Sequence, residues 1–147
     1  MTLSIVREMN KLDFGSGYNP QTEYKTCDVC GYVDYYFDPI EYKIDAEDGI
    51  FDEIRCRNVI HHVKDLNKLS KEFYRVLKNG GRLKIIEPIR ECYDANYYLD
   101  YLWYRFVIPR YEVWFSDKYR DSRDYFDNFS LISYHKEEEK EYFLFTK

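Results

Sequence analysis

The 147-residue chain contains no apolar run approaching the roughly 18 residues that a membrane span requires. Its opening, MTLSIVREMNK, is too short and too charged for a secretion signal, so a soluble, cytoplasmic protein is expected. A basic excess is lacking as well. The net charge of -5 argues against a general nucleic-acid coating role, because phosphate binding calls for a basic face. The four cysteines, Cys27, Cys30, Cys56 and Cys92, form one C-x-x-C pair, and a zinc site would need a second pair of similar spacing. A redox pair would open a helix, whereas CGYVDYYFD continues as strand. Buried or incidental thiols are therefore expected, and no metal site.

What is present is enough for one domain with a single core. Charge is segregated: residues 34–53 hold eight acids against one lysine, and residues 55–90 hold ten Lys/Arg against three acids. Such polarity either steers a charged substrate or marks two oppositely charged faces, the commoner meaning. KLDF is a short strand running into Gly15, and GYNPQTEY is loop chemistry. YKTCDV and YVDYYFD are β-rich runs parted by Gly31, PIEYKIDAEDG is acidic and irregular, and FDEIRCRNVI is a further strand. DLNKLSKEFYRVLKNGG puts Leu66, Leu69, Phe73, Val76 and Leu77 on one helical face, with Asp65 as cap and Asn79-Gly80 as the left-handed stop. RLKIIEP alternates as a strand, and FSLISYH and EYFLFTK flank KEEEK as an antiparallel hairpin.

Strands alternating with loops or a helix, then a hairpin, predict an α/β sheet, mainly parallel, with one reversed strand. Ligands of such sheets bind beyond the carboxyl ends of the strands, where strand order reverses, and Gly15-Ser16-Gly17 follows the first strand. Glycines let a ligand approach the backbone closely. Asp28 ends the second strand, where a carboxylate can accept two ribose hydroxyls, and Asp38 is placed to meet a base. YNPQTEY offers neither a helix N-terminus nor a P-loop lysine, so the loop suits an uncharged or zwitterionic nucleoside better than a pyrophosphate.

Taken in order, LDFGSGYNP, TCDV, YVDYYFDP and FDEIRCRNVIHHVKDLNKLSKEFYRVLKNGGRLKIIEP resemble the class I S-adenosylmethionine-dependent methyltransferases, and most specifically the methyltransferase type 11 group. The likeness covers residues 11–88, and the final hairpin fits that group's reversed last strand. It implies a Rossmann-like fold with helices on both faces and S-adenosylmethionine as cofactor. It implies that Asp13, Gly15, Ser16 and Gly17 line the methionine end, that Asp28 holds the ribose and Asp38 the adenine amino group, and that Asn58 faces the transferable methyl. Asp45 offers a competing register for Asp38. The alternative for Asp13 and Asp28 is a solvated strand end.

His61 could accept a proton from a substrate hydroxyl, although VIHHV also begins this helix in the group as ordinary packing. Adjacent His61 and His62 point to different helix sides and make a poor metal pair. The chain departs from the group in having only about ten residues before its first strand, which reduces the N-terminal cover over the cofactor, and in its short first crossover. The Asn/Asp-Pro-Pro-aromatic signature and the Pro-Cys nucleophile of nucleic-acid methylating enzymes are absent.

Residues 89–129 match nothing in the group. They hold nearly half of the aromatic residues and form a lid, a subunit interface or plain core. The expectation is thus one methyltransferase domain over 1–147 with an aromatic-rich insertion at 89–129, and residues 93–129 as a candidate homodimer interface. Methyl transfer by direct displacement needs little from a protein nucleophile, which suits a chain without a convincing triad. The acceptor is open, a small molecule being favoured. The rival expectation is a methyltransferase-like scaffold that keeps the fold without turnover.

Overall fold

The computed structural model describes residues 7–17, 19–90 and 119–147. Eight strands form one sheet in the order β4-β3-β2-β1-β5-β6-β8-β7. They are β1 (Lys11–Phe14), β2 (Lys25–Asp28), β3 (Tyr35–Asp38), β4 (Lys43–Ile44), β5 (Phe51–Arg57), β6 (Leu77–Pro88), β7 (Ser130–Glu137) and β8 (Lys140–Thr146), with helix α1 (Leu66–Val76) before β6. β3, β2, β1, β5 and β6 run parallel, whereas β4 and the β7–β8 hairpin are antiparallel. The predicted mainly parallel sheet with a terminal hairpin is present. Strand order reverses between β1 and β5, because the chain first builds outward through β2 and β3 and then returns to pair β5 with the other edge of β1.

Parallel neighbours ordinarily need a crossover of about a dozen residues or more. Only residues 29–34 separate β2 from β3. Stagger makes that sufficient: β3 begins level with Cys27, near the end of β2, so the chain returns by only a short distance. Asp34 pins the link, accepting from the Thr26 N–H at 2.9 Å and from its hydroxyl at 3.1 Å. The acidic stretch after β3, expected to be irregular, turns at Tyr42 and comes back as β4, with Ile44 buried.

The helix follows its apolar spacing. Leu66, Leu69, Phe73 and Val76 are buried, and Asp65 caps the start by accepting from the Lys68 N–H at 3.0 Å. Its end differs from the expected Asn79-Gly80 stop. The helix finishes at Val76, Leu77 is extended and opens β6 opposite Phe51, and Gly80 takes its positive φ of 78° inside β6. Pairing with β5 therefore claims Leu77 before a left-handed cap can form. The open carbonyls of Tyr74 and Leu77 accept from Lys147 Nζ at 2.7 and 2.8 Å.

α1 packs on one sheet face. Phe73 meets Phe14 edge-on at 4.9 Å between ring centres and stacks toward Phe126 at 6.3 Å, and Phe14 meets Phe37 at 5.0 Å. Leu12, Ile54, Cys56, Leu83, Ile85, Phe143 and Phe145 complete this core with Phe129. The other face is different in kind. One cross-strand row runs Thr26, Asp13, Arg55, Lys84, Leu144, and the next runs Lys11, Glu53, Arg82, Thr146. Ion pairs Arg55–Asp13 (3.4 Å) and Lys84–Glu53 (3.3 Å) cross the strands, and Tyr24 lies over this face with Lys11 on its ring and its hydroxyl on Glu53. Of the helices expected on both faces, the described residues include one α-helix, on the apolar face. Phe126 and Phe129, from the aromatic-rich stretch, are core residues. Residues 91–118, with Cys92 and most of the candidate homodimer interface at 93–129, lie outside the described residues.

Two outcomes follow for stability. Phe73→Ala should cost about 3–5 kcal/mol in urea unfolding, since Phe14 and Phe126 both lose their partner. Glu72 is buried and accepts from the Ile44 N–H at 2.9 Å and from Arg75. Burial alone would raise its carboxyl, but hydrogen bonds from Arg75 and Ile44 with the charges of Arg75 and Lys43 hold it below the ordinary glutamate range. A lowered folded-state value stabilises above the unfolded value and is lost as pH falls through the folded one. Unfolding midpoints of Glu72→Gln should therefore fall less steeply than those of the parent below about pH 4.3.

Candidate functional site

Every sequence-predicted site residue lies at the carboxyl edge of the parallel strands, but they are not all joined. The tightest point is where strand order reverses. Gly15, just beyond β1, has φ 71°, and a Cβ there would stand 2.3 Å from Val59 Cγ2. Only glycine allows the loop after β1 to lie so closely against the loop after β5. Gly15 N–H and Ser16 N–H both donate to the Cys27 carbonyl, at 2.8 and 3.1 Å, which fastens the loop to β2. Gly17, with φ 55°, donates its N–H to Asp28 Oδ2 at 2.9 Å, and a Cβ there would meet nothing within 4 Å. Among the described residues the loop is thus fixed on one side and uncovered on the other.

Asp13 is buried on the charged face. Its Oδ2 accepts from the Gln21 N–H at 2.9 Å and its Oδ1 faces Arg55, so it shapes the loop from behind. Asp28 also accepts from the Val29 N–H at 2.7 Å. Asp38 stands apart: its Oδ1 accepts from Ile40 and Glu41 N–H at 2.8 and 3.1 Å, within its own turn. Asp45, the competing acid, accepts from the Tyr36 N–H at 2.7 Å beside the same strand. Asn58, with φ 53°, follows directly on β5; its N–H donates to the Ile86 carbonyl at 2.9 Å and its Oδ1 accepts from Lys140 Nζ at 2.6 Å. Burial pushes the Cys27 thiol well above its usual range, with Asp28 adding to it, so Cys27 is a packing group.

His61 lies on a single 3-10 turn, Ile60–His62, rather than within the following helix. Its Nδ1 sits 2.7 Å from Glu87 Oε2, and its ring lies 4.1 Å from that of His62. Glu87 was not singled out in the sequence. It is buried near the end of β6, and its Oε1 accepts from the N–H groups of Val59 and Ile60, both at 2.9 Å. Arg120 was missed as well. It donates to the carbonyls of Ile60 (2.9 Å), Val63 (2.8 Å) and Lys64 (3.3 Å). Neither had a local signal, because their partners are 26–60 positions away. Glu141, cross-strand neighbour of Glu87, accepts from Tyr119 and from Tyr134 at 2.8 Å. Burial and the bond to Glu141 push the Tyr134 hydroxyl up to about 12.

This strand order, mainly parallel with a closing antiparallel hairpin, is a Rossmann-like methyltransferase fold. Residues 19–85 match the protein family described as methyltransferase domain, of type 11. The match begins beyond the Gly15-Ser16-Gly17 loop. The chain is 42% identical over 50 residues to a probable polyketide synthase 42 of Dictyostelium discoideum, covering 34% of this chain and 2% of that protein. It is 28% identical over 74 residues to a demethylmenaquinone methyltransferase of Geobacillus sp. (strain WCH70), covering 50% of this chain and 32% of that one. The chain thus spans under a third of either relative. The solved S-adenosylmethionine-dependent methyltransferase of Mesorhizobium loti superposes with a TM-score of 0.67 at 11% identity, over 95% of this chain and 91% of that one. The resemblance read from residues 11–88 therefore holds by sequence over 19–85 and by fold over the whole sheet.

The close approach of Gly15 and Val59 can be tested directly. Gly17→Ala should cost about 1 kcal/mol, the penalty of a left-handed alanine. Gly15→Ala should cost more, because the clash adds to the same penalty, and Val59→Ala should recover part of the difference in a double-mutant cycle of unfolding free energies.

Proposed function

We propose that the chain binds S-adenosylmethionine at the carboxyl edge of β1, β2 and β3 and transfers its methyl group to an acceptor, a small molecule being favoured. The observation that carries this reading is the glycine loop at the reversal point, held by the Cys27 carbonyl and packed on Val59 behind, with nothing among the described residues against a Cβ at Gly17 in front. The residues fit a zwitterionic nucleoside: a Cβ at Gly17 would meet nothing among the described residues, Asp28 adjoins it with lone pairs to spare, and YNPQTEY carries no lysine for a pyrophosphate. In this assignment Asp13, Gly15, Ser16 and Gly17 form the methionine end, Asp28 the ribose contact and Asp38 the adenine contact. Asn58 lies toward the methyl, and His61 is the candidate proton acceptor. When bound, the cofactor supplies a sulfonium-activated methyl, so this chain's own residues have mainly to hold donor and acceptor in line.

A scaffold without turnover is the second reading. It is favoured by the charged sheet face, where the described residues place no helix, and by the carboxylates of Asp28 and Asp38, each already accepting two main-chain N–H groups.

Calorimetry with S-adenosylmethionine and S-adenosylhomocysteine should show binding by the parent. Asp28→Ala should weaken it about tenfold or more, the effect of losing charge-assisted hydrogen bonds. No binding by the parent removes the enzyme reading, and equal binding by Asp28→Ala removes the ribose assignment. A methyl-transfer screen then separates enzyme from scaffold.

A further inference from the structure

We infer that Arg57 binds an anionic group on the methyl acceptor, whose apolar body lies along Ile86 and Tyr142. The inference rests on the methyltransferase reading and deepens it by naming the acceptor class, a small organic acid with a carboxylate or phosphate group.

Strand register places Arg57 at the carboxyl edge. Phe14 is level with Cys27 on one side and with Cys56 on the other. The residues that follow them, Asp28, Gly15 and Arg57, therefore form the next cross-strand row, and β2 and β5 end there. Ile86 continues the row opposite Arg57, then Tyr142 opposite Ile86 and His135 opposite Tyr142. Side chains alternate along a strand, so Arg57 shares its sheet face with Arg55, and Asp28 shares that same face with Thr26. Asp28, assigned to the ribose, and Arg57 thus stand on one face, two strand spacings or about 10 Å apart. Gly15, between them, adds no side chain. The row runs from the proposed ribose contact, past the glycine loop, to a cation. Asn58, assigned toward the methyl, follows Arg57 directly.

The acids of this face are already committed. Asp13 faces Arg55 at 3.4 Å and Glu53 faces Lys84 at 3.3 Å. Asp28 accepts from the main-chain N–H groups of Gly17 and Val29. Arg57 is exposed and makes no hydrogen bond or ion pair with another described residue. A guanidinium presents a rigid fork that meets a carboxylate or phosphate with two parallel hydrogen bonds. With no acid of the sheet against it, that fork suits an oxyanion brought by a ligand.

The rest of the row describes the rest of the acceptor. Ile86 and Tyr142 are both partly exposed, and the Tyr142 ring stacks on that of His135 at 4.7 Å with planes 2° apart. Aliphatic and aromatic surface beside a cation fits an amphiphilic acid, charged at one end and apolar along its body. This strip lies on the β6 side of Arg57, and the ribose contact lies on the β2 side. Donor and acceptor would then approach the reversal point from opposite halves of the sheet. The rival oxyanion is the methionine carboxylate of the cofactor itself.

Benzoate is the probe, with benzamide as its uncharged counterpart and inorganic phosphate as the other oxyanion. Each is titrated at millimolar concentration into the S-adenosylhomocysteine-loaded protein and into the free protein. Benzoate should shift the Arg57 Nε–H signal saturably in nitrogen-15 NMR, and benzamide should not. Arg57→Gln should weaken benzoate about tenfold or more, the effect of losing charge-assisted hydrogen bonds. Arg57→Lys should restore only part of that loss, because an ammonium lacks the fork. S-adenosylhomocysteine binding by Arg57→Gln should stay within about twofold, as for a surface substitution that touches no cofactor atom. A saturable shift with phosphate in place of benzoate also supports the inference and makes the anionic group a phosphate. No saturable shift with either anion, or an equal shift with benzamide, overturns it. So does weaker S-adenosylhomocysteine binding by Arg57→Gln with unchanged binding of methylthioadenosine, which lacks the methionine carboxylate. Failure of the parent to bind S-adenosylhomocysteine overturns instead the methyltransferase reading, and the acceptor role with it, whatever the free-protein titration shows.

Discussion

The near-contact of Gly15 and Val59 is the constraint on which the carboxyl edge depends. A Cβ at Gly15 would overlap Val59, so the two loops can meet only while that position is glycine. The meeting point lies where β1 and β5 are neighbours, between two halves of the sheet built in opposite directions. Asp13 holds the loop from behind, Cys27 and Asp28 hold it from β2, and Glu87 holds the Val59 side from β6. Four strands thus converge on a few residues of main chain. Such convergence fixes a loop without help from a helix, and the link from β1 to β2 contains none among its described residues.

The two sheet faces obey different physics. On the apolar face, interlocking phenylalanines around Phe73 supply the burial that stabilises the domain. On the opposite face, Lys11, Arg55, Arg82 and Lys84 alternate with Asp13 and Glu53 across β1, β5 and β6. Their ion pairs are partly buried and contribute specificity of register more than net stability. A one-residue slip of β5 against β1 would separate Arg55 from Asp13 and turn Ile54 away from the core.

Much of this frame was legible locally. The spacing of Leu66, Leu69, Phe73 and Val76 marked α1, Asp65 marked its start, and alternation marked the closing hairpin. The end of α1 was not legible, because Leu77 leaves the helix to pair with Phe51, and no local pattern encodes that partner. At the site, Gly15, Gly17 and Asp28 declared themselves by type and order. Glu87 did not, since IIEP reads as the polar end of a strand until β5 is laid beside it. The polar second face was hidden for a related reason: Lys11, Asp13, Arg55 and Lys84 are ordinary strand-end charges until register aligns them.

The position of β8 has a consequence for the order in which the sheet can assemble. β8 lies between β6 and β7, yet β7 precedes it in the chain. β7 therefore has no strand to pair with when it is made, and it must wait for β8 to fill the space beside β6. Until then the apolar edge around Ile85 and Leu83 has no Phe143 or Phe145 against it. The β6–β8 ladder joins residues 52 to 64 positions apart, the widest separation in the sheet, and pairing so far from local leaves an adhesive edge open while it waits for its partner.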